Sequence, residues 1–191
     1  MTSKAVLAYL LIACYFIMER LLRVGDKALS LQAGEFDRGS SKVIWISGLL
    51  GIILILFAPM LNVNQIGDWN SGYFGWLGLL LMVIGLVLRY WAAKTLGRFY
   101  TRTLQTLENQ QIIQQAPYNI IRHPGYLGTF LMEIGASLAI ANWIILIVIA
   151  VMGALSRFYR IQVEEEMLKT VLGGQYIVYS QETWKLIPFI Y

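Results

Sequence analysis

The stretch VIWISGLLGIILILFAPML occupies residues 43–61 and contains no charged side chain. A helix of about 20 apolar residues is long enough to cross the hydrocarbon core of a bilayer. Four more apolar stretches lie at residues 5–22, 73–93, 126–141 and 143–155. The sequence therefore predicts an all-α integral membrane bundle of five transmembrane helices.

The composition supports a membrane protein built as one domain. Of the 191 residues, 58% are hydrophobic and 14% are charged, whereas a soluble domain averages about 25% charged residues. The 6 Trp, 11 Tyr and 8 Phe exclude a disordered chain, because disordered segments contain few aromatic residues. We expect a single domain over residues 1–191, in which 1–93 supplies three spans and 94–191 supplies two spans and the long polar segments.

The last two spans are expected to form a helical hairpin. Ala141 and Asn142 are all that separates them, and a connection this short joins antiparallel neighbours. Lys and Arg follow the first, third and fifth spans and are missing from the other two connections. The positive-inside rule then places the N-terminus outside and the C-terminus in the cytoplasm. Polar residues 96–113 are expected to form a cytoplasmic cap over the bundle.

The residue types present argue against nucleic-acid binding, a zinc or copper site, and transport. The net charge of +4 needs no nucleic acid to explain it, because the basic residues follow the membrane topology. The single Cys14 and the single His123 lie far apart in sequence, so a zinc or copper site is not expected. We expect Cys14 to be a buried, inert thiol. A transporter would show paired broken helices, and none is visible.

The segment YNIIRHPGY at residues 118–126 predicts the start of a helix. Pro124 suits the first helical position, because its missing N–H needs no partner there. The free N–H groups of that helix end, together with Arg122 and His123, would attract a carboxylate or a phosphate. The alternative is that both side chains merely anchor the helix at the lipid headgroups.

Two further polar pairs are candidates. Arg160 and Glu164 are four residues apart and share one helical face, which allows either a surface salt bridge or a two-part ligand site. Glu133 lies inside the fourth span, and an ionisable residue in a membrane helix points to function. Pairing with a residue such as Arg89 would make Glu133 structural instead, and this is the favoured reading; the alternative for Arg89 is that it extends to the lipid headgroups.

A set of motif residues in the second half of the chain is shared with a known family: the run RHPGYLG at 122–128, Arg160, the run EEE at 164–166, Gly173, Tyr176, Tyr179 and Ile187-Pro188. This set resembles the isoprenylcysteine carboxyl methyltransferase family, which overlaps in motif with the phospholipid methyltransferases. The resemblance covers residues 96–191. It implies a membrane helix bundle whose cytoplasmic end wraps S-adenosylmethionine, with a lipid tail in a tunnel between helices.

The resemblance also implies site residues. Arg160 falls where the family holds the carboxylate of the acceptor. The cofactor-binding positions carried over are Gln110, Gln111, Ile112, Ile113, Tyr118, Arg122, His123, Pro124, Gly125 and Glu164. Position 110 is commonly His in the family and is Gln here, whose amide can both donate and accept hydrogen bonds.

The implied function is methyl transfer from S-adenosylmethionine to the carboxylate of a prenylcysteine, or to a similar oxygen of a lipid-like acceptor, among membrane lipids at the cytoplasmic face. Other readings of the sequence are a phospholipid headgroup N-methyltransferase, a sterol reductase-like enzyme that uses NADPH, and a non-catalytic membrane scaffold or small transporter. Saturable binding of S-adenosylmethionine separates the methyltransferases from the others.

Overall fold

The computed structural model describes residues 2–23, 32–69, 72–105 and 110–190. The expected cap and the expected single domain both include residues outside this set, 106–109 among them. These described residues contain six α-helices: α1 Ser3–Leu22, α2 Ser40–Val63, α3 Gly72–Leu96, α4 Pro124–Ile140, α5 Trp143–Leu172 and α6 Gly174–Glu182. Within the described ranges the chain forms isolated bridges but no strand.

Four of these helices, α1, α2, α3 and α5, are long and apolar enough to cross a membrane. The prediction of an all-α membrane protein is thus confirmed. The fifth predicted span, α4, has 17 residues, which is at the short limit of about 17 for a spanning helix. Helix α5 continues beyond its apolar stretch, as the shared helical face of Arg160 and Glu164 predicted, and its 30 residues run without a break to Leu172. Arg160 and Glu164 therefore lie on the same helix as the fifth span.

The turn between α4 and α5 forms as predicted, and Asn142 fixes it. The Asn142 side chain caps α5 by accepting a hydrogen bond of 3.0 Å from the backbone N–H of Ile145. Its Nδ2 donates to Oδ1 of Asn62 at 2.7 Å and to the carbonyl of Ile66 at 2.9 Å. The hairpin is therefore tied to the end of α2, and the two helices run antiparallel.

Glycine residues bring α3 and α4 into backbone contact. A Cβ added at Gly78 would lie 2.5 Å from the carbonyl oxygen of Gly135. Two helical turns further along α3, Gly85 faces Gly128 in the same way. Small residues allow membrane helices to approach closely and pack by van der Waals contact. This contact fixes where the first turn of α4 stands relative to α3.

The five long helices have a polar end and a far end. At the polar end α1, α3 and α5 finish and α2 and α4 begin, whereas the far end holds the N-terminus of α1 and the Asn142 turn. A core of small and branched side chains fills the far end, including Ala8, Ile55 and Ala58. There the Tyr9 hydroxyl donates to the carbonyl of Ile55 at 3.2 Å, which joins α1 to α2. The expected burial of Cys14 is wrong, because this thiol is exposed on α1.

The C-terminal segment closes the polar end. The backbone N–H of Arg122 donates to the carbonyl of Trp184 at 2.8 Å, and the N–H of His123 donates to the carbonyl of Lys185 at 3.0 Å. The N–H of Trp184 donates in return to the carbonyl of Ile120 at 3.0 Å. The start of α4 is therefore held in place from the end of the chain.

Candidate functional site

A cavity of about 720 Å³ runs from the polar end into the bundle. Its volume is in the range of about 300–1,000 Å³ that is typical of small-molecule sites. Arg160 and His123, which come from different helices, both line it. So do the remaining predicted residues except Pro124: Gln110, Gln111, Ile112, Ile113, Tyr118, Arg122, Gly125 and Glu164. Pro124 is fully buried and, as predicted, occupies the first position of α4.

The guanidinium of Arg160 is bound from two sides. Its Nη1 donates to Oδ1 of Asp37 at 2.9 Å and to the hydroxyls of Ser40 and Ser41, both at 2.8 Å. Its Nε donates to the hydroxyl of Tyr126 at 2.9 Å. Arg160 is 5% exposed, so it is a buried cation that joins the start of α2 to α4.

Asp37 is the carboxylate that balances Arg160, and sequence reasoning missed it. Burial by itself would raise the pKa of Asp37, but hydrogen bonds from the side chain and backbone of Ser41 and the charge of Arg160 hold that pKa below its ordinary value. Asp37 is therefore ionised at neutral pH. The run DRGSS at residues 37–41 carries the Asp and Ser signature of a helix start, and that signal could have drawn attention to it.

Glu164 presents a carboxylate to the cavity. The Tyr126 hydroxyl donates to Oε2 of Glu164 at 2.6 Å, and Nε of Arg160 lies 3.5 Å from the same oxygen. The Glu164 side chain is 24% exposed, whereas that of Arg160 is 6% exposed. Glu164 can therefore accept hydrogen bonds from an ammonium group or from hydroxyls of a bound ligand.

The predicted anion site at the start of α4 already contains a protein carboxylate. Nε of Arg122 donates to Oε1 of Glu165 at 2.8 Å, and its Nη1 donates to the carbonyl of Ser180 at 2.9 Å. Nε2 of His123 lies 3.5 Å from the same Glu165 oxygen, and the His123 ring stacks on Tyr126 with centroids 5.6 Å apart. The charge of Arg122 is thus largely neutralised by Glu165 within the protein.

A second charged cluster also lines the cavity. Glu19 accepts a hydrogen bond of 2.8 Å from Nε of Arg89 and pairs with Nη2 of Arg23 at 2.5 Å. The Tyr100 hydroxyl donates to Glu19 at 2.5 Å, and its ring lies under Arg89 with 5.0 Å between guanidinium and centroid. We call Glu19, Arg23, Arg89 and Tyr100 the Glu19 cluster. Glu19 was visible as an ionisable residue within an apolar stretch, but its partners were not.

The expected pairing of Glu133 with Arg89 is wrong. Nη2 of Arg157 donates to Oε1 of Glu133 at 2.7 Å and to the Thr129 hydroxyl at 3.1 Å. Arg89 is occupied by Glu19 instead. The reason is that Arg157 lies on α5, whose unbroken course past the apolar stretch brings its guanidinium to the face of α4.

Two tyrosines of α6 complete the polar part of the cavity. Tyr176 and Tyr179 are buried and line it, and the Tyr179 hydroxyl donates to the carbonyl of Tyr118 at 2.7 Å. The Tyr118 hydroxyl donates to the carbonyl of Ala92 at 3.3 Å. Burial raises the pKa of Tyr118 and raises that of Tyr179 to about 12, so both phenols are neutral at physiological pH.

The inner part of the cavity is mostly apolar, although the ion pair of Glu133 and Arg157 also lines it. Its apolar lining there comes from three helices: Ile12 and Phe16 of α1, Trp45, Leu49, Ile52 and Ile55 of α2, and Met132 and Ala136 of α4. Phe16 and Leu49 are 49% and 60% exposed, so they also border a lateral gap between α1 and α2. A polar ligand fits one end of this cavity and a hydrocarbon chain fits the other. In the part of the chain that the structure describes, no three His, Cys, Asp or Glu side chains are grouped so as to hold a metal ion.

Comparisons with known proteins agree with this arrangement. The family model described as isoprenylcysteine carboxyl methyltransferase matches residues 76–170. Protein-S-isoprenylcysteine O-methyltransferase B of Arabidopsis thaliana is 29% identical over an alignment of 189 residues, which covers 95% of this chain and 91% of that protein. A probable protein-S-isoprenylcysteine O-methyltransferase of Oryza sativa subsp. indica is 32% identical over 122 residues, 62% of this chain and 63% of that protein.

A solved structure of a eukaryotic intramembrane Ras methyltransferase, isoprenylcysteine carboxyl methyltransferase, superimposes with a TM-score of 0.61 at 26% identity. The match covers 76% of this chain and 52% of that one, so the chain spans about half the length of the solved protein. The fold and the cavity define a multi-pass helical membrane protein with a site that is polar at one end and apolar at the other. Within that class, the chain belongs to the isoprenylcysteine carboxyl methyltransferase family.

Proposed function

We propose that this protein methylates the carboxylate of a prenylcysteine, with S-adenosylmethionine as the methyl donor. The observation that carries the proposal is the single cavity of about 720 Å³, which joins a charged end to an apolar part between membrane helices. A prenylcysteine has the same two parts, a carboxylate and a hydrocarbon chain. The relatives named as protein-S-isoprenylcysteine O-methyltransferases support the same acceptor.

The residues at the polar end fit the proposed cofactor. Glu164 keeps part of its carboxylate open to the cavity and can accept hydrogen bonds from an ammonium group or from ribose hydroxyls. Residues 110–113, with Tyr118, supply amide and apolar side chains for the nucleoside, and His123 and Gly125 border the methionine end. Pro124 acts by starting α4 at this point.

This methyl transfer requires the protein to align the two reactants and requires no acid or base catalysis. S-adenosylmethionine supplies an activated methyl group, which an ionised carboxylate accepts while the sulfur keeps the electron pair of the broken bond. An acceptor carboxylate has no proton to lose at neutral pH. The protein must hold the oxygen in line with the methyl carbon and keep water away, and buried walls made by membrane helices do both.

Two arginine sites can orient the acceptor carboxylate. We propose Arg160 first, on the family resemblance and because it lines the cavity. The charge balance favours Arg89 as a second candidate, because the Glu19 cluster combines two guanidiniums with one carboxylate, whereas Arg160 lies between Asp37 and Glu164. A carboxylate is attracted to a site with an excess of positive charge.

We also propose how the chain sits in the membrane. The polar end would face the cytoplasm, with α4 as a fifth span, the N-terminus outside and residues 96–113 as a cap. The basic residues support this orientation, because Arg20, Arg98, Arg122 and Arg160 all belong to the polar end. Residues of both 1–93 and 94–191 line the cavity, which supports one functional domain.

Incubation of the purified protein with isotopically labelled S-adenosylmethionine tests the function. N-acetyl-S-farnesylcysteine and phosphatidylethanolamine are offered separately in lipid nanodiscs. We expect label on the prenylcysteine in a base-labile ester. Label on the phospholipid amine, with a rate that rises with pH as the amine loses its proton, would indicate the N-methyltransferase instead. No transfer to either acceptor would contradict the proposal.

A further inference from the structure

Asp37 lies behind the cavity wall at Arg160. Its side chain is 3% exposed, and it is not one of the residues that line the cavity. Arg160 lies between the two, because its Nη1 donates to Oδ1 of Asp37 at 2.9 Å while its side chain lines the cavity. A ligand in the cavity can therefore contact Arg160 but not Asp37. The charge of Asp37 acts on that ligand across the guanidinium.

Asp37 is fixed by the first turn of α2. The Ser41 hydroxyl donates to Oδ1 of Asp37 at 2.5 Å, and the Ser40 hydroxyl donates to the same oxygen at 3.2 Å. The backbone N–H of Ser41 donates to both carboxylate oxygens, at 3.2 and 3.3 Å. Taking Asp37 away from these partners would leave buried polar groups and a buried charge unpaired, which is unfavourable. The carboxylate of a methyl acceptor therefore joins Asp37 at Arg160 and does not replace it.

One nitrogen of the Arg160 guanidinium is left for a ligand. Nη1 binds Asp37, and Nε binds the Tyr126 hydroxyl. Within the described ranges of the chain, Nη2 donates no hydrogen bond, so it is the nitrogen available to a carboxylate in the cavity. Two carboxylates bound to one guanidinium lie within about 4–6 Å of each other, and like charges at that distance repel. Asp37 therefore weakens the attraction between Arg160 and a bound carboxylate.

We propose that Asp37 is a positioning residue whose negative charge limits how tightly Arg160 holds the methyl acceptor, so that the bound carboxylate stays reactive. The inference rests on the proposed function, with Arg160 as the site of the acceptor carboxylate. The acceptor oxygen loses its negative charge as it bonds to the methyl carbon. Repulsion by Asp37 therefore raises the free energy of the bound acceptor more than that of the transition state, which favours the reaction.

The test measures kcat and KM for N-acetyl-S-farnesylcysteine in Asp37→Asn. The variant keeps an oxygen that can accept from Arg160 and removes the charge. We expect KM and kcat both to fall about fivefold, with kcat/KM changed less than about twofold, because a repulsion in the bound ground state is lost. A variant that merely loosened Arg160 would show a higher KM and a lower kcat/KM, and that result would overturn the proposal.

A neutral ligand separates the charge of Asp37 from its shape. The primary amide of N-acetyl-S-farnesylcysteine has no charge for Asp37 to repel. As a competitive inhibitor, it should have the same inhibition constant in Asp37→Asn and in the wild-type protein within about twofold. Tighter binding of this amide to the variant, in step with the lower KM for the acid, would contradict a role of the charge.

Glu35→Gln is the matched control, because Glu35 lies in the same one-turn helix as Asp37, is exposed and does not line the cavity. It loses the same charge and should keep the kcat and KM of the wild-type protein. If Asp37→Asn does not fold, Asp37→Ser makes the same change of charge and should lower both constants as well. An active Asp37 variant with unchanged constants, or a control that shifts equally, would overturn the role of Asp37 alone. A wild-type protein that methylates no prenylcysteine would overturn the proposed function, and the role of Asp37 with it.

Discussion

The hydroxyl of Tyr126 donates a hydrogen bond of 2.6 Å to Oε2 of Glu164 and thereby ties the first turn of α4 to α5. The same hydroxyl accepts a hydrogen bond of 2.9 Å from Nε of Arg160. Tyr126 thus sets the position of the carboxylate that we assign to the cofactor. It belongs to the RHPGY segment, but its role depends on α5 and could not be seen in the sequence.

Tyr126→Phe should weaken the binding of S-adenosylhomocysteine. The variant removes a hydrogen bond to a charged group, worth about 1.5–3 kcal/mol, so we expect a loss of affinity of about tenfold or more. Tyr159→Phe is the control, because the Tyr159 hydroxyl donates to the carbonyl of Arg38 on the exposed surface. Isothermal titration measures both variants. Equal affinities for the two would show that Tyr126 does not position Glu164.

Arg160→Lys tests the first candidate for the acceptor carboxylate. Lysine keeps the charge but cannot reproduce the fork of a guanidinium. We expect kcat/KM for the prenylcysteine to fall at least about tenfold, in line with losing one positioned hydrogen-bond donor. Arg89→Lys is made in parallel and measured in the same steady-state assay. If Arg89→Lys raises the KM for the acceptor and Arg160→Lys does not, the carboxylate is oriented by the Glu19 cluster.

Gly135→Ala should destabilise the bundle. The added methyl would meet the carbonyl of Gly78 and the side chain of Met82, and overpacking of a tight contact costs about 1–3 kcal/mol. Gly51→Ala is the control, because nothing lies within 4 Å of a Cβ added there. Thermal unfolding in detergent should show a lower Tm for the first variant and an unchanged or higher Tm for the second. Equal Tm values would contradict the close approach of α3 and α4.

Acid should release the bond between Asp37 and Arg160. The pKa of Asp37 is held low in the folded protein, so its stabilising contribution is complete above the ordinary value of about 3.9 and is lost as pH falls through the lower folded pKa. We expect the Tm of the wild-type protein to fall on acidification through this range. Asp37→Asn should have a lower Tm at neutral pH and a shallower fall. Parallel curves would mean that Asp37 contributes no pH-dependent stability.

The parts of the fold that local sequence signals define were predictable. Apolar length located the membrane helices, Pro124 marked the start of α4, and the break at Ala141 and Asn142 gave the hairpin. The continuation of α5 through Arg160 and Glu164 was expected from their four-residue spacing, but its contact with α4 was not, because no local sequence signal pairs two helices. That extension is what brings Arg157 and Arg160 to α4.

The candidate site was predictable where one motif contained it, and less so where distant elements meet. Arg122 and His123 could be chosen from their position before a helix start. Arg160 and Asp37 are 123 positions apart, and no local pattern pairs them. Arg89 pairs with Glu19, and Glu133 pairs with Arg157. Helix packing, rather than sequence spacing, decides which charges meet in a membrane bundle.

The most direct test of the account is a titration of the purified protein in nanodiscs with S-adenosylhomocysteine. We expect saturable binding to one site, weakened about tenfold or more in Glu164→Gln, since a charged hydrogen-bond acceptor facing the ligand is lost. Glu166→Gln should bind like the wild-type protein, because Glu166 pairs with Arg38 on the surface, where both side chains are more than half exposed. Absence of saturable binding, or the same affinity in all three proteins, would contradict the assignment of this cavity to the methyl donor.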